Sequence, residues 1–185
     1  MPITFKKMLD YDHSKNEIFQ TIENLRTEKL KLYQQMNKND VDGSQIEFKL
    51  RHIAELNETE AVRTHIKDIE RAAKNLHKLT EKLEKVEELL KNIDMESDEY
   101  KKRELMRKRE DLIKEFNHAS KTEANINKKY PSISTTIEKY LDKEEKEQFE
   151  QFLKNKIKLL LKVLNVEKKI QYEINRYKLI DSNKS

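Results

Sequence analysis

Apolar residues recur along this chain at steps of three and four, the repeat of a helix that buries one face. Ile18, Ile22, Leu25, Leu32 and Met36 step 4-3-7-4, with a polar gap at Lys29 that Leu30 partly fills. The stripe runs into Asn37–Ser44, which holds the one glycine, Gly43. That stretch predicts a break, with Asp42 or Ser44 capping the next helix. A short helix over Gln45–Leu56 would use Ile46, Leu50 and Ile53. Asn57 with Glu60 three residues on then resembles a capping box.

The next stripe is the most regular. Val62, Ile66, Ile69, Ala73, Leu76, Leu79, Leu83, Val86, Leu90 and Ile93 step 4-3-4-3-3-4-3-4-3. Its one 3-3 sequence, Ala73-Leu76-Leu79, acts like a stammer in a heptad seam. It overwinds a coiled coil locally, or widens the face so that it meets two partners. At 1.5 Å per residue the helix would run about 50 Å. Asp94–Asp98 reads as a kink or short loop. Leu105, Met106, Leu112, Ile113, Phe116, Ala119 and Ile126 resume the pattern until Tyr130-Pro131. A proline inside a helix removes a hydrogen bond and clashes with the preceding turn, so a helix should end near Lys129 and restart at Ser132 or Ser134. Asp142 with Glu145 reads as a second capping box. The last helix carries Phe149, Leu153, Ile157, Leu160, Val163, Leu164, Val166, Ile170, Ile174 and Tyr177.

The chain is therefore all-α, without a repeat of about 20–50 residues. Residues 1–14 are weakly patterned, 15–180 form one helical domain, and 181–185 are a frayed tail. Narrow seams need cover from other helices. A hairpin within the chain and a dimer between chains both satisfy that need, and the irregular heptads favour a segmented coiled coil over one rod.

Composition narrows the functions. Of 185 residues 40% are charged and one is glycine, while cysteine and tryptophan are absent. One glycine argues against Gly-rich phosphate loops and most tight hairpins. Without cysteine there is no disulfide, thiol nucleophile or Cys-ligated zinc, which is compatible with the cytosol. No apolar run approaches the roughly 18 residues of a membrane span, and the N-terminus lacks a signal-peptide core. The net charge of +4 comes from 39 basic and 35 acidic residues. The two signs are interleaved along the chain, so no nucleic-acid footprint is expected.

Candidate chemistry is sparse. His13, His52, His65, His77 and His118 never pair at i, i+3 or i+4, so they read as helix-surface residues rather than zinc ligands. Glu87-Glu88, Glu144-Glu145 and Asp94/Glu96/Asp98 read as solvated faces and caps. Glu115-Phe116-Asn117-His118 is a lone Glu-x-x-His, and a di-iron bundle needs two. The run Lys101, Lys102, Arg103, Arg107, Lys108 and Arg109 is a charged flank with Glu104 and Glu110 interleaved; its functional reading is contact with an acidic partner, phosphate or lipid headgroup. The seven tyrosines read as seam-edge residues. No enzyme activity, metal or cofactor is expected.

Leu79-Thr80-Glu81-Lys82-Leu83-Glu84-Lys85-Val86-Glu87-Glu88-Leu89-Leu90 resembles the signature helix of the Shroom family's C-terminal domain, also called the Apx/Shrm domain 2. Asn39–Glu47, with its glycine, looks like the family's break upstream. Ile66-Lys67-Asp68-Ile69 resembles its Ile-x-Asp-hydrophobic step, although His65 stands where the family has an apolar residue. Tyr140-Leu141-Asp142 and Phe149-Glu150-Gln151-Phe152 resemble the start of its last helix. The departures are Glu81 in place of glycine, and Lys82 and Lys85 in place of arginine. Lysine keeps the charge but loses the bidentate fork.

The resemblance implies an extended, segmented, antiparallel coiled-coil dimer without catalytic activity. It implies an adaptor that binds the coiled-coil region of Rho-associated kinase and brings it to the actin cytoskeleton at apical junctions, driving actomyosin contraction. It assigns partner binding to Leu79, Thr80, Lys82, Leu83, Lys85, Val86 and Glu87, with the lysines better suited to contact and the apolar residues to packing. The alternative is a purely architectural coiled coil.

Overall fold

A computed structural model describes residues 5–93 and 99–182, with side chains from residue 13 onward. Five helices come in order: α1 (Phe5–Ile53), α2 (Leu56–Asn92), α3 (Glu99–Asn127), α4 (Tyr130–Tyr140) and α5 (Lys143–Ser182). The described residues contain no strand, so the all-α expectation holds. The expected loop at Asp94–Asp98 lies outside the described residues. The weakly patterned N-terminus enters α1 at Phe5.

The expected break at Asn37–Ser44 is not there. α1 runs through it for 49 residues, and Gln45–Ile53 is its last part rather than a separate helix. Gly43 has no positive φ. Its role is spatial: a Cβ there would fall 2.6 Å from Phe152 Cζ and closer still to Cε2. A mid-helix glycine costs about 1 kcal/mol relative to alanine, and here that cost lets an aromatic ring lie on the backbone. Ser44 caps nothing; its hydroxyl donates back to the Val41 carbonyl at 2.8 Å, inside the helix.

The chain turns instead at Ala54-Glu55. The expected Asn57 cap is also overturned, because α2 already begins at Leu56 after an extended Glu55. Asn57 Oδ1 accepts from the next residue's N–H at 2.9 Å, and Glu60 pairs with Arg63 at 2.9 Å. Thr59 ties the corner, its hydroxyl donating to the Leu50 carbonyl at 3.4 Å.

The proline break falls where expected, but α4 restarts at Tyr130 rather than at Ser132 or Ser134. Pro131 sits in the first turn, where a missing N–H removes no helical hydrogen bond. The second box is present in full. Asp142 Oδ1 accepts from Glu145 N at 2.9 Å, and Glu145 Oε2 accepts from Asp142 N at 3.0 Å.

Two compact units divide the chain: residues 1–39 with 158–185, and residues 40–157. In the first, Leu32 packs with Leu159, Val163 and Val166, joined by Leu25, Met36 and Ile170. Lys15 pairs with Asp181, and Lys29 with Glu167 at 2.8 Å. Rising numbers on one helix meet falling numbers on the other, so the two segments are antiparallel.

In the second unit, Ile46, Leu50, Val62, Ile66, Ile133, Ile137, Leu141, Phe149, Phe152 and Leu153 form a core shared by α1, α2, α4 and α5. A second cluster joins α2 to α3: Leu79, Val86, Leu105, Leu112 and Ala119, flanked by Leu76, Leu83, Leu90, Ile93 and Phe116. The α2 stripe thus changes partners across Ala73-Leu76-Leu79. Those six residues fall about 120° short of two turns, against about 20° for a heptad, which rotates the apolar face. α2 therefore packs with α1, α4 and α5 before the shift and with α3 after it.

Candidate functional site

α2 buries one side of its second half and leaves the neighbouring side open. Leu79 is 4% exposed and Val86 3%, with Leu83 packed beside them against α3. These three are seam residues. The other four candidates face solvent. The Thr80 hydroxyl donates to the Leu76 carbonyl at 2.9 Å, a bond inside its own helix. Glu87 accepts from Arg109 Nε of α3 at 3.0 Å. Lys82 and Lys85 are exposed and make no ion pair among the described residues.

Helical spacing extends this open side. Lys78, Lys82, Lys85 and Leu89 step 4-3-4, so they share one face. All four are exposed, Leu89 by 51%. Lys82 also borders an open groove of about 610 Å³ with Glu104, Arg107, Lys108, Asp111 and Glu115 of α3, floored by Leu112. The groove therefore offers Lys82 from α2 and alternating signs along α3. That arrangement suits a helix carrying charges of both signs. Lys78 and Leu89 were not among the residues singled out by sequence, although their spacing from Lys82 and Lys85 carried the signal.

The departure at Glu81 is accommodated. Its carboxylate lies 3.8 Å from His77 Nδ1, one turn back on the same helix. Two arginines of the basic run of α3 pair with carboxylates other than the interleaved Glu104 and Glu110. Arg103 pairs with Glu99 at 2.9 Å and Arg109 with Glu87.

Not every histidine lies on the surface. His65 is 5% exposed, and its Nδ1 has no hydrogen-bond partner. Its ring lies 5.9 Å from that of Tyr130. Burial pushes its pKa below the ordinary value, Asp68 opposes that shift, and Lys129 adds to it. The sequence pattern assigned His65 to the surface because it lies one position off the apolar stripe; the shared core of α1, α2, α4 and α5 is broader than a two-helix seam.

A second polar cluster had no sequence signal. Glu58 at the start of α2 accepts from Tyr140 OH and from Lys139 Nζ at 3.1 Å, at the end of α4. Tyr140 and Lys139 together hold the Glu58 carboxyl below its ordinary range. Tyr130 and Tyr140 are seam-edge residues as expected, whereas Tyr100 and Tyr172 are largely exposed. Among the described residues no group of three His, Cys, Asp or Glu is placed to hold a metal. No helix among them is long and apolar enough to cross a membrane.

Long helices packed through narrow seams, with a charged face left open beside one seam, define the class: an all-α helical domain whose exposed features suit contact with other chains. The family model for the Apx/Shroom domain ASD2 matches residues 13–182, and the chain belongs to that family. It is 25% identical over 165 residues to Protein Shroom2 of Xenopus tropicalis, covering 89% of this chain and 10% of the relative. It is 26% identical over 181 residues to human Protein Shroom2, covering 94% and 11%. Human Protein Shroom4 matches at 24% over 147 residues, covering 80% and 10%. The chain thus spans about a tenth of the length of the curated relatives it matches.

Proposed function

We propose that this chain is a non-catalytic adaptor domain that acts as a homodimer. It binds the coiled-coil region of Rho-associated kinase and recruits the kinase to the actin cytoskeleton. Actomyosin contraction and cell-shape change at apical junctions would result. Family membership supports the adaptor role. The observation that carries the binding face is the exposed row Lys78, Lys82, Lys85 and Leu89 beside the buried Leu79–Val86 seam. A kinase helix would lay carboxylates against the lysines and an apolar side chain against Leu89. Thr80 and Glu87 would border the contact. Leu79, Leu83 and Val86 would act through packing, by holding α2 against α3.

The test is equilibrium binding of the whole chain to that kinase segment, with wild type beside Lys82→Glu/Lys85→Glu. Both substitutions are on the surface, so helicity and mass should not change. Reversing two charges at an interface replaces attraction by repulsion, and affinity should fall at least about tenfold. Unchanged affinity in the variant would move the face elsewhere. No binding by the wild type would leave an architectural coiled coil.

A further inference from the structure

The two signs of charge interleave along the sequence, yet the fold sorts them on one segment. In the C-terminal part of α5, Lys158, Lys162, Asn165, Lys169, Tyr172 and Arg176 step 4-3-4-3-4. At 3.6 residues per turn they line one face over about 27 Å. All six are exposed. The buried residues Leu159, Val163 and Val166 point elsewhere, into the packing against α1. Two carboxylates of this stretch pair with α1, and a third pairs with the row's own Arg176. Glu167 pairs with Lys29 of α1, Asp181 pairs with Lys15 of α1, and Glu173 is held by Arg176 at 2.8 Å. Lys158, Lys162 and Lys169 make no ion pair among the described residues.

We propose that this cationic face of α5 is a peripheral docking surface for an anionic lipid bilayer. Three observations favour lipid over an acidic polypeptide. The free cations are lysines, compact hydrated charges suited to a diffuse anionic surface rather than to bidentate carboxylate pairing. Tyr172 lies among them, 61% exposed, and its ring carries Arg176 at 5.9 Å. Leu179, one heptad beyond Tyr172, is 65% exposed. An aromatic ring and a leucine beside lysines suit the headgroup boundary, where the apolar groups enter and the charges stay in the headgroups. Carboxylates on a facing acidic helix would leave both apolar groups unmatched. This surface goes beyond the proposed kinase contact and uses none of its residues.

The experiment is co-flotation of the whole chain with phosphatidylcholine vesicles, with and without about 30% phosphatidylserine. Each lysine near an anionic leaflet strengthens binding about tenfold at most. Wild type should bind the anionic vesicles only, and should lose them in 0.5 M salt. Lys158→Glu/Lys162→Glu/Lys169→Glu should weaken binding on the order of 100-fold or more. Its circular dichroism should match wild type, because the three side chains are exposed. Equal flotation with neutral vesicles overturns the proposal, as does flotation unchanged by salt or by the triple variant. Absence of wild-type flotation overturns it too. Capture of a helical glutamate-rich peptide without flotation would reassign the face to an acidic polypeptide.

Discussion

His65 shows what one buried side chain does to a helical core. It is enclosed by α2 and the start of α4, its Nδ1 unpartnered. Asp68 on its own helix favours the proton, while Lys129 ahead of α4 opposes it. Tyr130 offers its ring, with its hydroxyl turned to Glu150 of α5 at 3.3 Å. Burial comes first among these effects, so the folded chain resists protonation. The unfolded chain takes up the proton near pH 6.5. Stability is therefore flat above that pH and falls as pH drops from 6.5 toward the lowered native value. Each pH unit within that interval removes about 1.4 kcal/mol. The lowered carboxylates Glu58, Glu138 and Glu145 lose their contribution below about 4.5, under the pH range of the unfolding measurement. Urea unfolding between pH 7.5 and 5.5 should show this loss in wild type. His65→Leu should show a smaller loss and a higher midpoint throughout. Parallel slopes for the two proteins would mean that His65 does not carry the pH dependence.

At the scale of the element, what the sequence made legible was local. The α2 seam, its change of side, the proline break and the Asp142–Glu145 box each depend on residues within a turn or two of one another. The α1 glycine depends on a residue 109 positions away. Read locally, Asn37–Ser44 is polar, glycine-bearing and break-like; only Phe152 explains why a helix passes through it. The same limit applied to the site. The division between the seam residues Leu79, Leu83 and Val86 and the exposed Lys82 and Lys85 comes from period. The pairing of Glu87 with Arg109 does not, because it requires knowing which side of α3 meets α2. Gly43 also yields a prediction whose sign is opposite to the local rule. In an open helix, glycine to alanine gains about 1 kcal/mol. Here the new methyl meets the Phe152 ring, and overpacking of this kind costs about 1–3 kcal/mol. Gly43→Ala should lower the urea midpoint, and Gly43→Ala/Phe152→Leu should recover part of the loss. A higher midpoint for Gly43→Ala alone would show that the ring moves aside without cost.

For the whole molecule, the two units build their interiors differently. In residues 40–157, segments of four helices enclose Phe149, Leu50, Ile137 and Val62 almost completely. In residues 1–39 with 158–185, two antiparallel segments meet along one seam of Leu32, Leu159, Val163 and Val166. A side chain surrounded by several helices is released only when several contacts open together, whereas a two-helix seam opens from its ends. Local opening energies track that difference in enclosure. Native-state hydrogen exchange should therefore show its slowest amides around Leu50, Val62, Ile137 and Phe149. Amides around Leu32, Val163 and Val166 should exchange sooner, through openings smaller than global unfolding. At rising urea the first group should merge with the global transition, and the second should lose protection earlier. Equal protection in both groups would mean that the seam of the first unit is secured by more than its own two segments. If covering that seam is the cause, protection of Leu32 and Val163 should increase with protein concentration, because a second copy binding the folded chain stabilises it by mass action. Concentration-independent, equal protection would instead place the added stability within the single chain.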